Sequence, residues 1–157
     1  MDERTHAATV LRAHGFRVTA ARMAVVEALA ELPPHVTVEQ VEANVRGRIG
    51  AVSTQAVYDI LRALHDVGLV RRIEPAGSAA LFETRVDDNH HHLVCRNCGR
   101  TVDVDCAVGA PPCLAPSSAA GFEVDEAEII FWGRCPDCLG KNKASASGNV
   151  SETRRSQ

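Results

Sequence analysis

Two Cys-x-x-Cys pairs of identical spacing, Cys95-Arg96-Asn97-Cys98 and Cys135-Pro136-Asp137-Cys138, constrain this chain more than anything else in it. Each pair offers two thiolates from one tight turn, and four thiolates complete the tetrahedral shell of a zinc ion. Gly99 after the first pair and Pro136 inside the second suit turns that aim sulfur inward. A closed four-thiolate site leaves no position open for a reacting water, so the zinc is read as structural. Two other readings of the same residues are redox dithiols and buried thiols acting as small apolar side chains. The absence of an export signal favours metal chemistry over a disulfide scaffold for six cysteines accompanied by seven histidines.

Charge and cysteine are both unevenly distributed along the 157 residues, which is a two-domain signature in a chain too short for a large multidomain enzyme. Residues 1–80 carry 9 basic and 9 acidic side chains and no cysteine, residues 81–140 carry 4 and 10 with all six cysteines, and residues 141–157 carry 4 and 1. With 4% aromatic residues the core must be aliphatic and alanine-rich. No apolar run approaches the ~18 residues of a membrane helix, and Met1-Asp2-Glu3-Arg4 does not begin a signal peptide. The expectation is a cytoplasmic protein with no membrane partner.

The first block reads as helices punctuated by turns. A first helix is expected from Thr9 to His14, stopped by Gly15. Thr19 caps the second, which carries Met23, Val26 and Leu29 at helical spacing until Pro33-Pro34. Thr37 and Gln40 form a capping box for the third, whose stripe is Val38, Val41, Val45 and Ile49 before Gly50. Ser53 caps the fourth, with Val57, Ile60, Leu61 and Leu64 as its buried face and Gly68 as its stop.

Two short β-type runs follow, Leu69 to Ile73 and Ala79 to Phe82, around the turn-rich Glu74-Pro75-Ala76-Gly77-Ser78. Helices followed by a hairpin describe a winged helix-turn-helix, whose last helix enters the major groove. Thr54, Gln55, Tyr58, Asp59 and Arg62 occupy the side of that helix opposite its apolar face, and Arg71-Arg72 at the root of the wing suit phosphate contacts. The competing reading is a solvated helix face in a small helical domain.

From residue 90 the pattern turns to strands at His91 to Cys95 and Thr101 to Val104, closed by Asn97-Cys98-Gly99, with a third strand at Glu128 to Gly133. Residues 107–121 suit a loop and a short helix, and residues 141–157 a mobile polar tail. Three consecutive histidines precede the first knuckle. On a strand, His90 and His92 share one face and His91 takes the other. Glu83 at the end of the wing and Asp103 on the partner strand are plausible oxygen ligands beside them, and His35 after Pro34 can close the set. Mixed imidazole and carboxylate donors suit Fe(II), Mn(II), Zn(II) or Ni(II). Cys106 and Cys113 lie outside the knuckles and can be inert, a redox disulfide or ligands of another metal.

In combination these motifs resemble the ferric uptake regulator family of metal-dependent bacterial repressors. The resemblance is carried by Gly15-Phe16-Arg17-Val18-Thr19-x-x-Arg22, Pro34-His35, Val57-Tyr58, Leu64 to Val70, Phe82-Glu83, His90 to Gly99, Gly121-Phe122 and Gly133-x-Cys135-x-x-Cys138. Asp103 to Gly109 and Asp125 to Glu128 look most like the actinobacterial FurA/CatR branch, peroxide-responsive repressors linked to catalase-peroxidase genes. The resemblance implies structural zinc on Cys95, Cys98, Cys135 and Cys138. It also implies a regulatory metal on His35, Glu83, His90, His92 and Asp103, a DNA-reading Tyr58, and Arg17 reaching toward the minor groove. It implies an α+β fold in which a winged-helix domain at residues 1–82 precedes a small metal-binding dimerisation domain at residues 83–140. Asp59 stands where the family usually has Arg, implying a non-standard operator, and Asn89 and Ala127 stand where histidines of an additional family site are usual.

The function expected is a metal-dependent, peroxide-sensing repressor that binds operator DNA as a homodimer, with structural zinc and regulatory Fe(II), Mn(II) or Zn(II). A zinc or iron-sufficiency repressor of metal uptake is the alternative. A small zinc hydrolase or thiol oxidoreductase using the histidines is the rival from another class, and a groove-reading helix is superfluous to it. No small-molecule substrate is expected.

Overall fold

Side-chain caps set the helical part of the molecule. Helix α1 (Glu3–Ala13) starts six residues before the apolar periodicity does, because Asp2 accepts the Thr5 amide at 3.0 Å and the Thr5 hydroxyl at 3.2 Å. Of its side chains only Ala7 and Leu11 are buried, so the polar first turn left no apolar signature. Gly15, at φ +78°, turns the chain out of it. Helix α2 (Ala20–Glu31) is capped by Thr19, and α3 (Val38–Ile49) by the complete Thr37/Gln40 box. Helix α4 (Thr54–Asp66) is capped by Ser53, whose hydroxyl accepts the Ala56 amide at 3.1 Å. Strands β1 (Arg71–Ile73) and β2 (Leu81–Glu83) pair antiparallel, Arg71 facing Glu83 and Ile73 facing Leu81.

This arrangement is a winged helix-turn-helix. Its core is one cluster that includes Leu11, Val25, Val41, Val45, Val57, Leu61, Leu64 and Phe82. A two-residue bridge joins the wing to the segment before α3: the Val36 amide donates to the Phe82 carbonyl at 3.1 Å, and the Phe82 amide to Val36 at 2.8 Å.

The computed structural model describes residues 2–86, 88–106, 114–124 and 127–140, and the chain divides between Asp88 and Asn89 into two units. In the second, β3 (His90–Cys95) pairs antiparallel with β4 (Thr101–Asp105) and parallel with β5 (Ile130–Gly133), giving the order β4-β3-β5. A helical turn follows at 136–140. Residues 114–121, in the stretch expected to hold a short helix, are irregular, while 107–113 and the expected mobile tail at 141–157 lie outside the described residues. No helix among the described residues is long and apolar enough to cross a membrane. The fold is therefore α+β, as the family resemblance implied.

Candidate metal centres and recognition helix

Parallel pairing of β3 with β5 sets Cys95 opposite Gly133, so Cys135, two residues further on, meets the first knuckle. The sulfurs of Cys95, Cys98, Cys135 and Cys138 all lie within 4.8 Å of one another. Cys98 Sγ and Cys135 Sγ are 3.7 Å apart. A zinc ion with tetrahedral bonds of ~2.3 Å would hold two sulfurs ~3.8 Å apart, so the cluster has the size of the ion. The knuckle turns are closed by the Gly99 amide on the Cys95 carbonyl at 2.9 Å and the Leu139 amide on the Cys135 carbonyl at 3.0 Å.

The thiols are electrostatically unequal. Backbone amides, first that of Cys135, whose N–H donates to Cys95 Sγ at 3.3 Å, then those of Cys98 and Asn97, lower the Cys95 pKa to about 6. Hydrogen bonding to the Cys135 and Cys98 side chains, with burial, pushes Cys138 up to about 12. One thiolate forms readily and the last resists, because hydrogen bonds to neighbouring sulfurs, burial and lastly their negative charge all favour its protonated form. A divalent cation removes that penalty, which is the chemistry of a structural zinc site.

The second donor set occupies two places, each within one unit. In the first unit the Val36–Phe82 bridge brings the preceding and following residues together, and His35 Nε2 lies 2.9 Å from Glu83 Oε2. Both side chains are shielded, at 7% and 1% exposure. In the second unit His92 faces Asp103 across the β3–β4 ladder. His90 Nε2 and His92 Nε2 lie 4.0 and 3.9 Å from Asp103 Oδ1, with the two rings 5.0 Å apart. Two ligands of one ion with bonds of about 2.1 Å stand ~3 to 4.2 Å apart, so both groups have separations that a shared cation can bridge. His91 is on the other face, its ring 6.4 Å from that of Phe131. Cys106 donates its amide to the Asn89 carbonyl at 3.3 Å, and Cys113 lies outside the described residues.

On α4 the apolar side is fully buried at Val57, Ile60, Leu61 and Leu64, while Thr54, Gln55, Asp59 and Arg62 are exposed and Tyr58 is half-buried. Gln55 donates its amide to Asp59 Oδ1 at 2.8 Å, one turn away. Arg17 is exposed between α1 and α2, and its carbonyl accepts from Arg22 Nη1 at 2.5 Å while the Arg22 guanidinium lies 5.3 Å above the Phe16 ring. Arg71 is half-buried on β1.

Glu42 is the polar residue that sequence reasoning passed over. It is buried on α3 beside Val41 and Val45, and accepts the Thr54 hydroxyl at 2.6 Å. A carboxylate adjoining the apolar stripe of α3, the helix before α4, was the available signal.

The profile described as "Ferric uptake regulator family" matches residues 13–129. "Transcriptional regulator FurA" of Mycobacterium tuberculosis is 56% identical over 128 residues, covering 82% of this chain and 86% of its own. The "Peroxide operon regulator" of Bacillus subtilis is 27% identical over 139 residues, covering 88% and 95%. Among solved structures, the ferric uptake regulator of Pseudomonas aeruginosa with manganese superposes with a TM-score of 0.64 at 24% identity, covering 87% of this chain and 99% of that one. The chain belongs to the ferric uptake regulator family, whose members are metal-responsive transcription regulators and not enzymes.

Proposed function

We propose that this member of the ferric uptake regulator family is a repressor that binds operator DNA as a homodimer when a regulatory metal is bound, and releases it when peroxide meets the iron-loaded form. The observation that carries the reading is the division of one donor set between the two units. His35 and Glu83 sit together in the first, and His90, His92 and Asp103 in the second. An ion held by all five would tie the angle between a winged helix and a dimerisation sheet to metal occupancy, and so set the spacing of two recognition helices. Occupancy shifts a population toward the DNA-competent form, so the metal-free protein binds operator weakly rather than not at all.

Residues 1–82 in this reading form the DNA-binding domain. Gln55, Tyr58 and Arg62, with Thr54 at the start of α4, face the major groove, Arg71 meets phosphate and Arg17 reaches toward the minor groove. Residues 83–140 form the dimerisation domain. Leu93 stands in register with Val102 on one side and Phe131 on the other, and all three are exposed at 41, 38 and 46%. That apolar row across the sheet supports pairing with a second copy.

Ferrous iron, when bound, supplies an electron to peroxide and yields an oxidant beside whatever holds it. His35, His90 and His92 then serve both as ligands and as the groups consumed, and loss of one loosens the hold on the metal. The name of the Bacillus subtilis relative supports the peroxide response, and the mycobacterial FurA relative is consistent with the actinobacterial branch. Catalase-peroxidase genes are the targets we propose.

Operator binding of the Fe(II)- and Mn(II)-loaded protein, measured before and after peroxide and followed by mass spectrometry of the peptides containing His35, His90 and His92, tests this. Loss of binding in the iron form alone, with oxygen added to a histidine, is the expected result. Equal sensitivity of both forms, with oxidation confined to Cys106 and Cys113, would overturn the metal-centred mechanism in favour of a thiol switch.

A further inference from the structure

We propose that Glu42 is a positioning residue for DNA recognition: its buried carboxylate fixes the first turn of α4 through the Thr54 hydroxyl. This rests on the reading of α4 as the recognition helix. Glu42 is 7% exposed on α3, and its two oxygens are assigned to different partners. One accepts the Thr54 hydroxyl at 2.6 Å, the other the Arg46 guanidinium at 2.8 Å. Arg46 in turn donates from Nε to the Val52 carbonyl at 3.2 Å, in the turn that joins α3 to α4. Carboxylate, guanidinium, turn carbonyl and helix-start hydroxyl thus form one connected set across the helix-turn-helix.

A hydroxyl bonded to a carboxylate at this distance is charge-assisted and about twice as strong as a neutral pair. Thr54 is the first residue of α4, where a negative group also complements the positive end of the helix dipole. Losing either partner leaves the other's bond unmade: without Thr54 one buried carboxylate oxygen lacks a donor although Arg46 still pairs with the other, and without Glu42 the freed hydroxyl no longer sets the pitch of α4 on α3. Gln55 and Tyr58 are read off that same helix, so an error of orientation at its start is carried to both. Thr54 lies on the exposed side of α4, yet its hydroxyl is engaged inside the protein. The proton of its hydroxyl is thus spent on Glu42, and what that bond adds to DNA binding is the orientation of the helix.

The test uses full-length, Mn(II)-loaded protein and operator DNA selected from a random pool by the wild-type chain, with a scrambled duplex as the non-specific probe. Glu42→Gln, Glu42→Ala, Thr54→Val, Thr54→Ser and the double variant Glu42→Gln/Thr54→Val are compared. Thr54→Val and Glu42→Ala should each weaken operator binding about tenfold, the scale of a hydrogen bond to a charged group, with non-specific binding not weakened. Thr54→Ser, which keeps the hydroxyl, should recover most of the affinity lost in Thr54→Val, and Glu42→Gln, which keeps an acceptor, should lose only about threefold. The double variant should be weakened by less than the product of the single effects, because the two side chains act as one unit.

A purely structural role would lower the melting temperature while leaving the affinity and operator preference of the folded fraction unchanged, and that outcome overturns the proposal. So does wild-type affinity in both Glu42 variants with loss in Thr54→Val, which would make Thr54 a direct DNA contact. If Glu42→Ala fails to fold, the near-isosteric Glu42→Gln and Thr54→Val still decide. Tyr58→Ala separates this proposal from the reading beneath it: unchanged operator affinity in that variant removes α4 from the interface altogether.

Discussion

In the first unit Leu11, Val25, Val41, Val45, Val57, Leu61, Leu64 and Phe82 are almost wholly excluded from water and belong to one packed cluster. In the second, the buried apolar side chains among the described residues are Val94, Cys95 and Cys138, alongside the buried polar His90, His91 and His92, while Leu93, Val102 and Phe131 remain exposed on the sheet. A three-stranded sheet of four to six residues per strand with so little apolar burial lacks the hydrophobic means to stand alone. The difference teaches that one chain can divide its stability between two kinds of physics. Under the function proposed above, solvent exclusion holds the unit that presents a helix to DNA, and ligand bonds would hold the unit that carries the four cysteines.

Removing the zinc site should break this contrast most sharply. Helices α1 to α4 all lie in the first unit, so circular dichroism at 222 nm reports mainly on it. Trp132, the single tryptophan, lies on β5 three residues before Cys135 opens the second knuckle, and reports on the second. Structural zinc contributes roughly 10 to 16 kcal/mol of apparent binding energy in small domains, as much as a domain's whole stability. Cys98→Ser should therefore abolish stoichiometric zinc and the native Trp132 emission while most of the helical signal survives. A Cys98→Ser protein with full zinc and an unchanged dimer would refute the assignment. Acid should act in the same direction. Folding lowers the Cys95 pKa from its ordinary 9.0 to about 6, so the thiolate's contribution is complete above about pH 9 and is lost as pH falls through about 6. A bound zinc competes with protons for the same sulfurs, so its release on acidification should begin below the pH at which the metal-free Cys95 thiolate protonates, and ahead of any loss of helix.

A core deletion probes the other side. Phe82 is 1% exposed and is the largest of the fully buried side chains. Phe82→Ala should cost the first unit about 3 to 5 kcal/mol, as large-to-small changes in packed cores do. Its backbone bridge to Val36 involves only main-chain atoms and can persist, so the His35–Glu83 pair should be loosened through the strand rather than severed. Urea unfolding followed at 222 nm measures the cost. Trp132 emission that shifted in step with the helical signal would show that the two units melt as one, and the contrast would fail.

How legible this was in the sequence depended on the range of each signal. The caps at Thr19, Thr37 and Ser53 and the glycine stops at 15, 50 and 68 are local chemistry, and three of the four helices begin where those residues put them. Helix α1 was underestimated because its first turns bury so little that periodicity has nothing to record. The four cysteines were found by spacing alone, and β-strand alternation separated His91 from His90 and His92. What one strand's periodicity does not encode is pairing. The parallel register that brings Cys135 to Cys95 and the Val36–Phe82 bridge that joins His35 to Glu83 are long-range choices made by the packed fold. Glu42 was missed for the same reason: its partner Thr54 is on another helix, and no helical period links them.

The smallest effect sharpens the comparison from within the first unit, because it asks whether a local signal matters where a core already exists. Thr37 caps α3 reciprocally: its hydroxyl accepts the Gln40 amide at 3.4 Å, and its own amide donates to Gln40 Oε1 at 2.9 Å. Thr37→Ala removes the first bond and leaves the second, so the cost should be about 1 kcal/mol, the usual value of an N-cap side chain. Packing of Val41 and Val45 fixes the helix independently of its cap. The substitution should therefore shift the urea midpoint at 222 nm by a small amount, with no change of slope. Gln40→Ala should remove the complementary bond to the Thr37 amide. If the two act as one box, the double variant loses less than the two single losses added together; strict additivity would mean that the caps contribute separately. Zinc content and Trp132 emission should be indifferent to all three variants, since the cap belongs to the first unit and the four cysteines and Trp132 to the second.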